Sequence, residues 1–235
     1  MTRICALLAF ALIFACASAS FAADDKKLSP KQRAIVPIAA FTAKGDMPKL
    51  HAALEKGLEA GLTVNEINEV LIQLYAYCGF PRSLNAINNF MALVDERAEA
   101  GINDPRGEEP KTLPRDADRD KIGGENRNKL VGRVYKAANA DFAPGIDAFL
   151  KQHLFADIFE RGVLTWQERE LATISALSTI DGAEAQLRSH TGNTMNTGVT
   201  PEQLAGFVET VKAEVGDKEG ANAQTALEAA LEARK

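Results

Sequence analysis

Two stretches of this chain carry the same punctuation, and that constrains its fold more than any other feature. Gly61-Leu62-Thr63-Val64-Asn65-Glu66-Ile67 returns as Gly198-Val199-Thr200-Pro201-Glu202-Gln203-Leu204, an offset of 137 from Gly61 to Gly198. Each ends one helix on a left-handed glycine and opens the next with a Thr-x-x-Glu/Gln capping box. Upstream, Leu28-Ser29-Pro30-Lys31-Gln32-Arg33 is echoed by Leu164-Thr165-Trp166-Gln167-Glu168-Arg169 at an offset of 136. A period this long is not that of a solenoid, whose units run about 20–50 residues. It predicts a duplicated helical domain: an all-α chain of two tandem, quasi-equivalent helical units.

The apolar spacing fills in the helices. Ser29-Pro30 opens one to about Lys44, a second covers about 49–60, and a third runs over 64–78. On the third, Ile67, Val70, Leu71, Leu74 and Cys78 share a face at spacings of three and four. Gly79-Phe80-Pro81 ends it, and Ser83 is placed to cap a fourth helix with Leu84, Ile87, Met91 and Val94 inward. Residues 101–128 are rich in Pro, Gly and charge and read as a linker or a surface-wrapping excursion. Helices are predicted over 129–138 and 145–160, the latter with Ile146, Phe149, Leu150, His153 and Asp157 on one side. The second repeat then gives 166–180, 183–197, 201–215 and about 220–233. The domain boundaries that follow are 1–22, 23–100, 101–128 and 129–235.

Residues 1–22 read as an export signal: Arg3, an apolar run over 4–14 and a Ser20-Phe21-Ala22 cleavage site. The run is shorter than the roughly 20 residues a membrane span needs. Cys16 invites a lipidated alternative that Phe14 disfavours. A periplasmic or secreted protein, free of the membrane after cleavage, is the expectation. Cleavage takes one of the 27 basic residues and none of the 32 acidic ones. The acidic balance leaves no footprint for nucleic acid. Two of the three cysteines leave with the signal, so Cys78 stands alone and cannot form an intramolecular disulfide.

Three segments resemble the carboxymuconolactone decarboxylase family: Arg169-Glu170-Leu171-Ala172-Thr173-Ile174-Ser175-Ala176-Leu177 followed by Gln186-Leu187-Arg188-Ser189-His190; Gly198-Val199-Thr200; and, in the first repeat, Leu74-Tyr75-Ala76-Tyr77-Cys78-Gly79-Phe80-Pro81. The wider superfamily holds decarboxylases and alkyl hydroperoxidase D-type thiol enzymes. The latter carry Cys-x-x-Cys-x-x-x-His, which placed on His190 puts the cysteines at Ala183 and Gln186. Without two vicinal thiols a sulfenic acid has no internal resolving partner, so the chain is nearer the decarboxylase branch. The resemblance implies cofactor-free chemistry, no metal, and assembly into trimers of tandem chains.

What survives of the superfamily's machinery is Glu170 and His190, a carboxylate and an imidazole suited to moving protons. The repeats are unequal at these positions. Glu170 aligns with Ala34 and His190 with Ala53, so both polar groups exist only in the second repeat. Conversely Tyr75, Tyr77 and Cys78 align with Lys212, Glu214 and Val215. Complementary loss is expected of one site built from both repeats, and independent drift gives the same pattern.

Cys78 lies at a helix C-terminus, where the helix dipole disfavours thiolate, and reads as a small hydrophobe or as a nucleophile. Arg82 and Arg188 are candidates to hold a substrate carboxylate, and Tyr77 to line the substrate site. His153 with Asp157 is a chance-level pair, and no cluster has metal-ligand spacing. No phosphate-binding, dinucleotide or serine-nucleophile motif is present. Three functions follow as expectations: a carboxy-lyase-like enzyme acting on a small carboxylated molecule with His190 as acid/base and Glu170 orienting it; a thiol peroxidase using Cys78 with an external thiol; or a non-enzymatic binding or assembly protein.

Overall fold

A computed structural model describes residues 27–235, and among them every regular element is helical. The segment read as an export signal lies outside the described residues. The first repeat supplies α1 (Pro30–Lys44), α2 (Met47–Glu59), α3 (Val64–Cys78) and α4 (Phe80–Glu99). A bridging region holds α5 (Arg119–Val131) and α6 (Pro144–Phe149), which runs on as a π-helical stretch (Leu150–Ile158) and a 3₁₀ turn (Phe159–Arg161). The second repeat is α7 (Trp166–Leu177), α8 (Glu184–Asn196), α9 (Pro201–Glu214) and α10 (Asp217–Glu232).

The duplicated punctuation folds as its chemistry dictates. Ser29, Thr63, Thr165 and Thr200 each accept a hydrogen bond from the N3 amide, and the N3 side chain of each box accepts one from the cap amide. Gly61 and Gly198 sit at φ 91° and 99°, a region closed to most side chains.

The first helix of each repeat forms the centre. α1 is buried continuously over 35–43 and α7 over 169–177, and the two pack on each other with α3 also against α7. A helix buried around its whole circumference belongs in the interior. On α1 the buried run is almost wholly apolar, whereas on α7 it includes Arg169, Glu170, Thr173 and Ser175. Their hydrogen-bonding groups therefore need internal partners. α2, α4, α8 and α9 pack around this centre, α10 packs on α8 and α9, and Lys44 of α1 pairs with Glu219 of α10 across the repeats.

Four local expectations are corrected. Ser83 is not a cap: α4 opens at Phe80 behind Gly79, and the buried Ser83 hydroxyl donates to the Leu71 carbonyl. The inward face of α4 is Ser83, Ala86, Phe90 and Leu93, while Leu84 and Met91 point outward. Both faces of this helix are apolar, so periodicity alone chooses the wrong one.

No helix spans 129–138. The helix there starts earlier, at Arg119, inside the stretch read as a linker, and ends on Gly132. Gly123 lets it approach the π-helical stretch closely, since a Cβ there would lie 1.8 Å from the Lys151 carbonyl oxygen, and Leu130 and Asn126 complete the contact. A helix docked through a glycine, a polar side chain and one leucine shows no apolar period.

Finally, residues 145–160 form no single α-helix, and Ile146 and Phe149 are exposed rather than inward. Leu154, Phe155, Ile158 and Phe159 make a second small core with Leu130 instead. The irregular segment before α5 wraps the first repeat: the Val64 and Asn65 amides donate to the Pro105 and Arg106 carbonyls.

Candidate active site between the two repeats

α3 presents Glu69, Gln73 and Tyr77 at successive intervals of four, a polar stripe beside its apolar face. α7 lies against it and presents Arg169 and Thr173 at the same interval. The stripes interlock. The Gln73 amide nitrogen donates to the Arg169 carbonyl at 2.8 Å and to the Thr173 hydroxyl at 3.0 Å, while Arg169 Nη1 donates to Gln73 Oε1 at 3.0 Å. Arg169 also reaches Glu69 Oε2 at 3.3 Å, and Arg161 pairs with Glu69 at 2.8 Å. Burial holds the Arg169 guanidinium below the usual arginine value, and Glu69 opposes that shift.

At the far end of this polar seam Glu170 meets His190. The Glu170 side chain is 0 % exposed and that of His190 15 %. His190 Nδ1 lies 2.8 Å from Glu170 Oε2. Burial by itself lowers the imidazole pKa, but the charge and hydrogen bond of Glu170 outweigh it and hold His190 above the ordinary value. With Nδ1–H committed to the carboxylate, Nε2 is the ring nitrogen left for chemistry.

Tyr77 arrives from the first repeat. Its ring stands edge-on to the His190 ring, with centroids 5.7 Å apart and planes at 83°. Burial, reinforced by the negative charge of Glu170, pushes the Tyr77 phenol well above its ordinary value. Beside Thr173, its hydroxyl makes no hydrogen bond of ordinary geometry. Glu170 Oε1 is likewise buried and without a partner. The Tyr77 hydroxyl and Glu170 Oε1 are thus two buried polar atoms without an ordinary hydrogen bond, on side chains that each pack against His190.

The remaining sequence candidates lie elsewhere. Cys78 follows Tyr77 by one residue and so points about 100° away around the helix. Its Sγ donates to the Leu74 carbonyl at 3.1 Å, and burial pushes the thiol up to about 11 despite Arg82 nearby. Arg82 is exposed on the first turn of α4 and makes no hydrogen bond or ion pair with the three residues. Arg188, two residues before His190, faces the opposite side of α8 and lines a groove of about 130 Å³ with Leu177, Leu187, Asn222 and Ala226. Among the described residues no group of three or more His, Cys, Asp or Glu side chains could hold a metal ion.

Two residues with structural claims on the site, Glu69 and Gln73, were not among the sequence candidates. Their signal was the four-residue spacing that ends on Tyr77.

A family model described as the carboxymuconolactone decarboxylase family matches residues 8–90 and 144–232, one match per repeat. The chain belongs to that family. The first match begins within the segment read as an export signal, and the second covers the π-helical stretch through α10. No curated relative matches the chain. Membership agrees with the tandem all-helical architecture and supports, in general terms, a function of the carboxymuconolactone decarboxylase or alkyl hydroperoxidase D-like kind.

Proposed function

We propose that this carboxymuconolactone decarboxylase-family protein is a cofactor-free acid/base enzyme acting on a small carboxylated organic molecule, in the manner of a carboxy-lyase. The observation that carries this reading is the His190–Glu170 pair, with the Tyr77 ring of the other repeat against it. In decarboxylation the bond to the carboxylate carbon breaks, CO2 leaves, and its electron pair remains on the substrate as an enolate. His190 Nε2–H then protonates that carbon, and the Glu170 carboxylate keeps Nδ1–H in place through the transfer. The neutral hydroxyl of Tyr77, whose ring packs edge-on to the imidazole, donates to the developing enolate oxygen.

Cys78 plays no part in this reading. A thiol pushed up to about 11 is almost wholly protonated at neutral pH and is a poor peroxidatic nucleophile. The leader-like composition of residues 1–22 is what supports a protein that works outside the cytoplasm. Recovery of a mature chain beginning at Ala23 from a periplasmic or secreted fraction is the corresponding measurement.

The test is CO2 release from carboxymuconolactone, the substrate in the family's name. The wild-type chain turns it over, and His190→Gln lowers kcat by roughly 10²–10⁴-fold, the usual contribution of a positioned acid/base. Turnover left intact in His190→Gln overturns the mechanism.

A further inference from the structure

The side of α8 that faces away from His190 carries a groove with no part in the proposed reaction. It lies between α8 and α10 at the end of α7 and holds about 130 Å³. Leu177, Ile180, Leu187 and Ala226 make its walls apolar, and Arg188 stands at its rim. On the other side of Arg188 a more open groove leads to Arg234. Arg188 makes no hydrogen bond or ion pair among the described residues. Arg234 donates only to neutral acceptors, the Gly192 carbonyl and the Asn196 side-chain oxygen.

The first repeat shows how the chain fills this place when it fills it itself. At the 137-residue offset, Arg188 aligns with His51, Ala226 with Asn89 and Ala233 with Glu96. His51 Nδ1 lies 3.2 Å from Asn89 Oδ1, and its Nε2 lies 3.6 Å from a Glu96 carboxylate oxygen. The Asn89 amide in turn donates to the Met47 carbonyl at 3.2 Å, tying α4 to α2. In the second repeat both partners are alanine. Ala226 leaves the hollow, and Ala233 leaves the basic side chain without an acid. Arg234 repeats the pattern, for it aligns with Arg97, which is paired with Asp104 at 2.7 Å. The second repeat thus keeps basic groups at both positions without the carboxylates that meet them in the first.

A guanidinium over an apolar hollow selects its ligand by chemistry. It takes a carboxylate through two parallel hydrogen bonds, while the apolar walls remove a compact hydrocarbon body from water. Glu184 is the acid on the lining, but its Oε1 accepts from the Gly182 amide at 3.0 Å at the head of α8, one turn before Arg188. The ligand's carboxylate is therefore directed to the Arg188 end. We infer that the groove between α8 and α10 is a binding site for a small apolar carboxylate, paired with Arg188 and seated over Ala226. This inference does not rest on the role of His190, which lies across α8.

Benzoate is the probe, with benzyl alcohol and benzylamine as ligands of the same body and different charge, followed by backbone amide NMR of the full chain. Benzoate saturates shifts around Leu187, Arg188 and Ala226 with a Kd of about 1–10 mM, the range expected of so small a ligand. Benzyl alcohol and benzylamine bind at least tenfold more weakly. Arg188→Met, at an exposed position that folding does not need, raises the benzoate Kd at least tenfold. Ala226→Asn, which installs the side chain of the first repeat, does the same with unchanged far-UV circular dichroism. His190→Gln leaves the groove shifts as they are, so loss of turnover and loss of groove binding are read separately. Groove shifts absent at about 50 mM benzoate, equal binding of benzyl alcohol, or benzoate binding indifferent to Arg188→Met overturns the inference.

Discussion

Tyr77 of the first repeat and His190 of the second stand edge to face, with ring centroids 5.7 Å apart, where polar side chains of the two repeats meet. The duplication explains why this is possible. Once two copies are fused, a group needed once per chain can be lost from one of them. Glu170 and His190 persist where the first repeat has Ala34 and Ala53, and Tyr77 where the second has Glu214. The polar seam from Glu69 to Thr173 holds α3 and α7 in the register that brings these remainders together.

Removing the carboxylate should expose the cause of the imidazole's basicity. In Glu170→Gln, burial acts on His190 without an opposing charge, so its pKa falls from above the usual value to below it. Histidine ring-proton NMR across pH 5 to 9 measures this. An unmoved titration would mean that Glu170 does not control His190.

The same pair gives stability a pH dependence of definite sign. His190 has a higher pKa folded than unfolded, so its contribution is fully present below the unfolded imidazole value of about 6.5 and is lost as pH rises through the folded one. Urea midpoints of wild type should therefore fall relative to His190→Gln on going from pH 6 to pH 9. A constant difference between the two proteins would contradict the linkage.

Glu69 is the test of the seam beneath the site. Glu69→Ala leaves Arg169 buried without its carboxylate partner, and stranding one half of a buried ion pair costs about 3–5 kcal/mol. Equilibrium denaturation should show a loss of that size. Replacing the exposed Glu99 the same way should move stability by no more than about 0.5 kcal/mol.

Much of this was legible in the chain, for reasons that can be named. Capping boxes and left-handed glycines are local, so Ser29, Thr63, Thr165 and Thr200 announce their helices whatever packs above them. The asymmetry of Glu170, His190 and Tyr77 was visible because the repeats could be laid over each other. Glu69 and Gln73 were not, because their partner Arg169 lies 100 and 96 residues away and nothing local distinguishes a buried polar stripe from a solvated one. α5 was misplaced because it docks through Gly123, Asn126 and Leu130, which leave no apolar period to read. The outward turn of Leu84 and Met91 was hidden because α4 carries apolar residues on both faces and spacing does not say which one packs inward.

Cys78 should behave as a sheltered thiol. Pushed up to about 11, it gains reactivity toward iodoacetamide mainly above pH 9 and is slow at pH 7.5. Mass spectrometry of alkylated samples reads this directly. Rapid modification at neutral pH would return Cys78 to the list of nucleophiles.

Tyr77→Phe separates support from chemistry. The hydroxyl is buried and makes no hydrogen bond of ordinary geometry, so deleting it removes a desolvated group while the ring keeps its edge-on packing against His190. Folding stability should change by less than about 1 kcal/mol or rise, since an unsatisfied buried polar group costs about 1–3 kcal/mol. Activity should not be spared. If the hydroxyl donates to the enolate oxygen, kcat for carboxymuconolactone falls by roughly 10²-fold or more with little change in KM, as for loss of a donor to a developing oxyanion. Tyr77→Leu, which also removes the ring, should lose stability as well. A Tyr77→Phe protein with full turnover would leave Tyr77 as packing for His190 and nothing more.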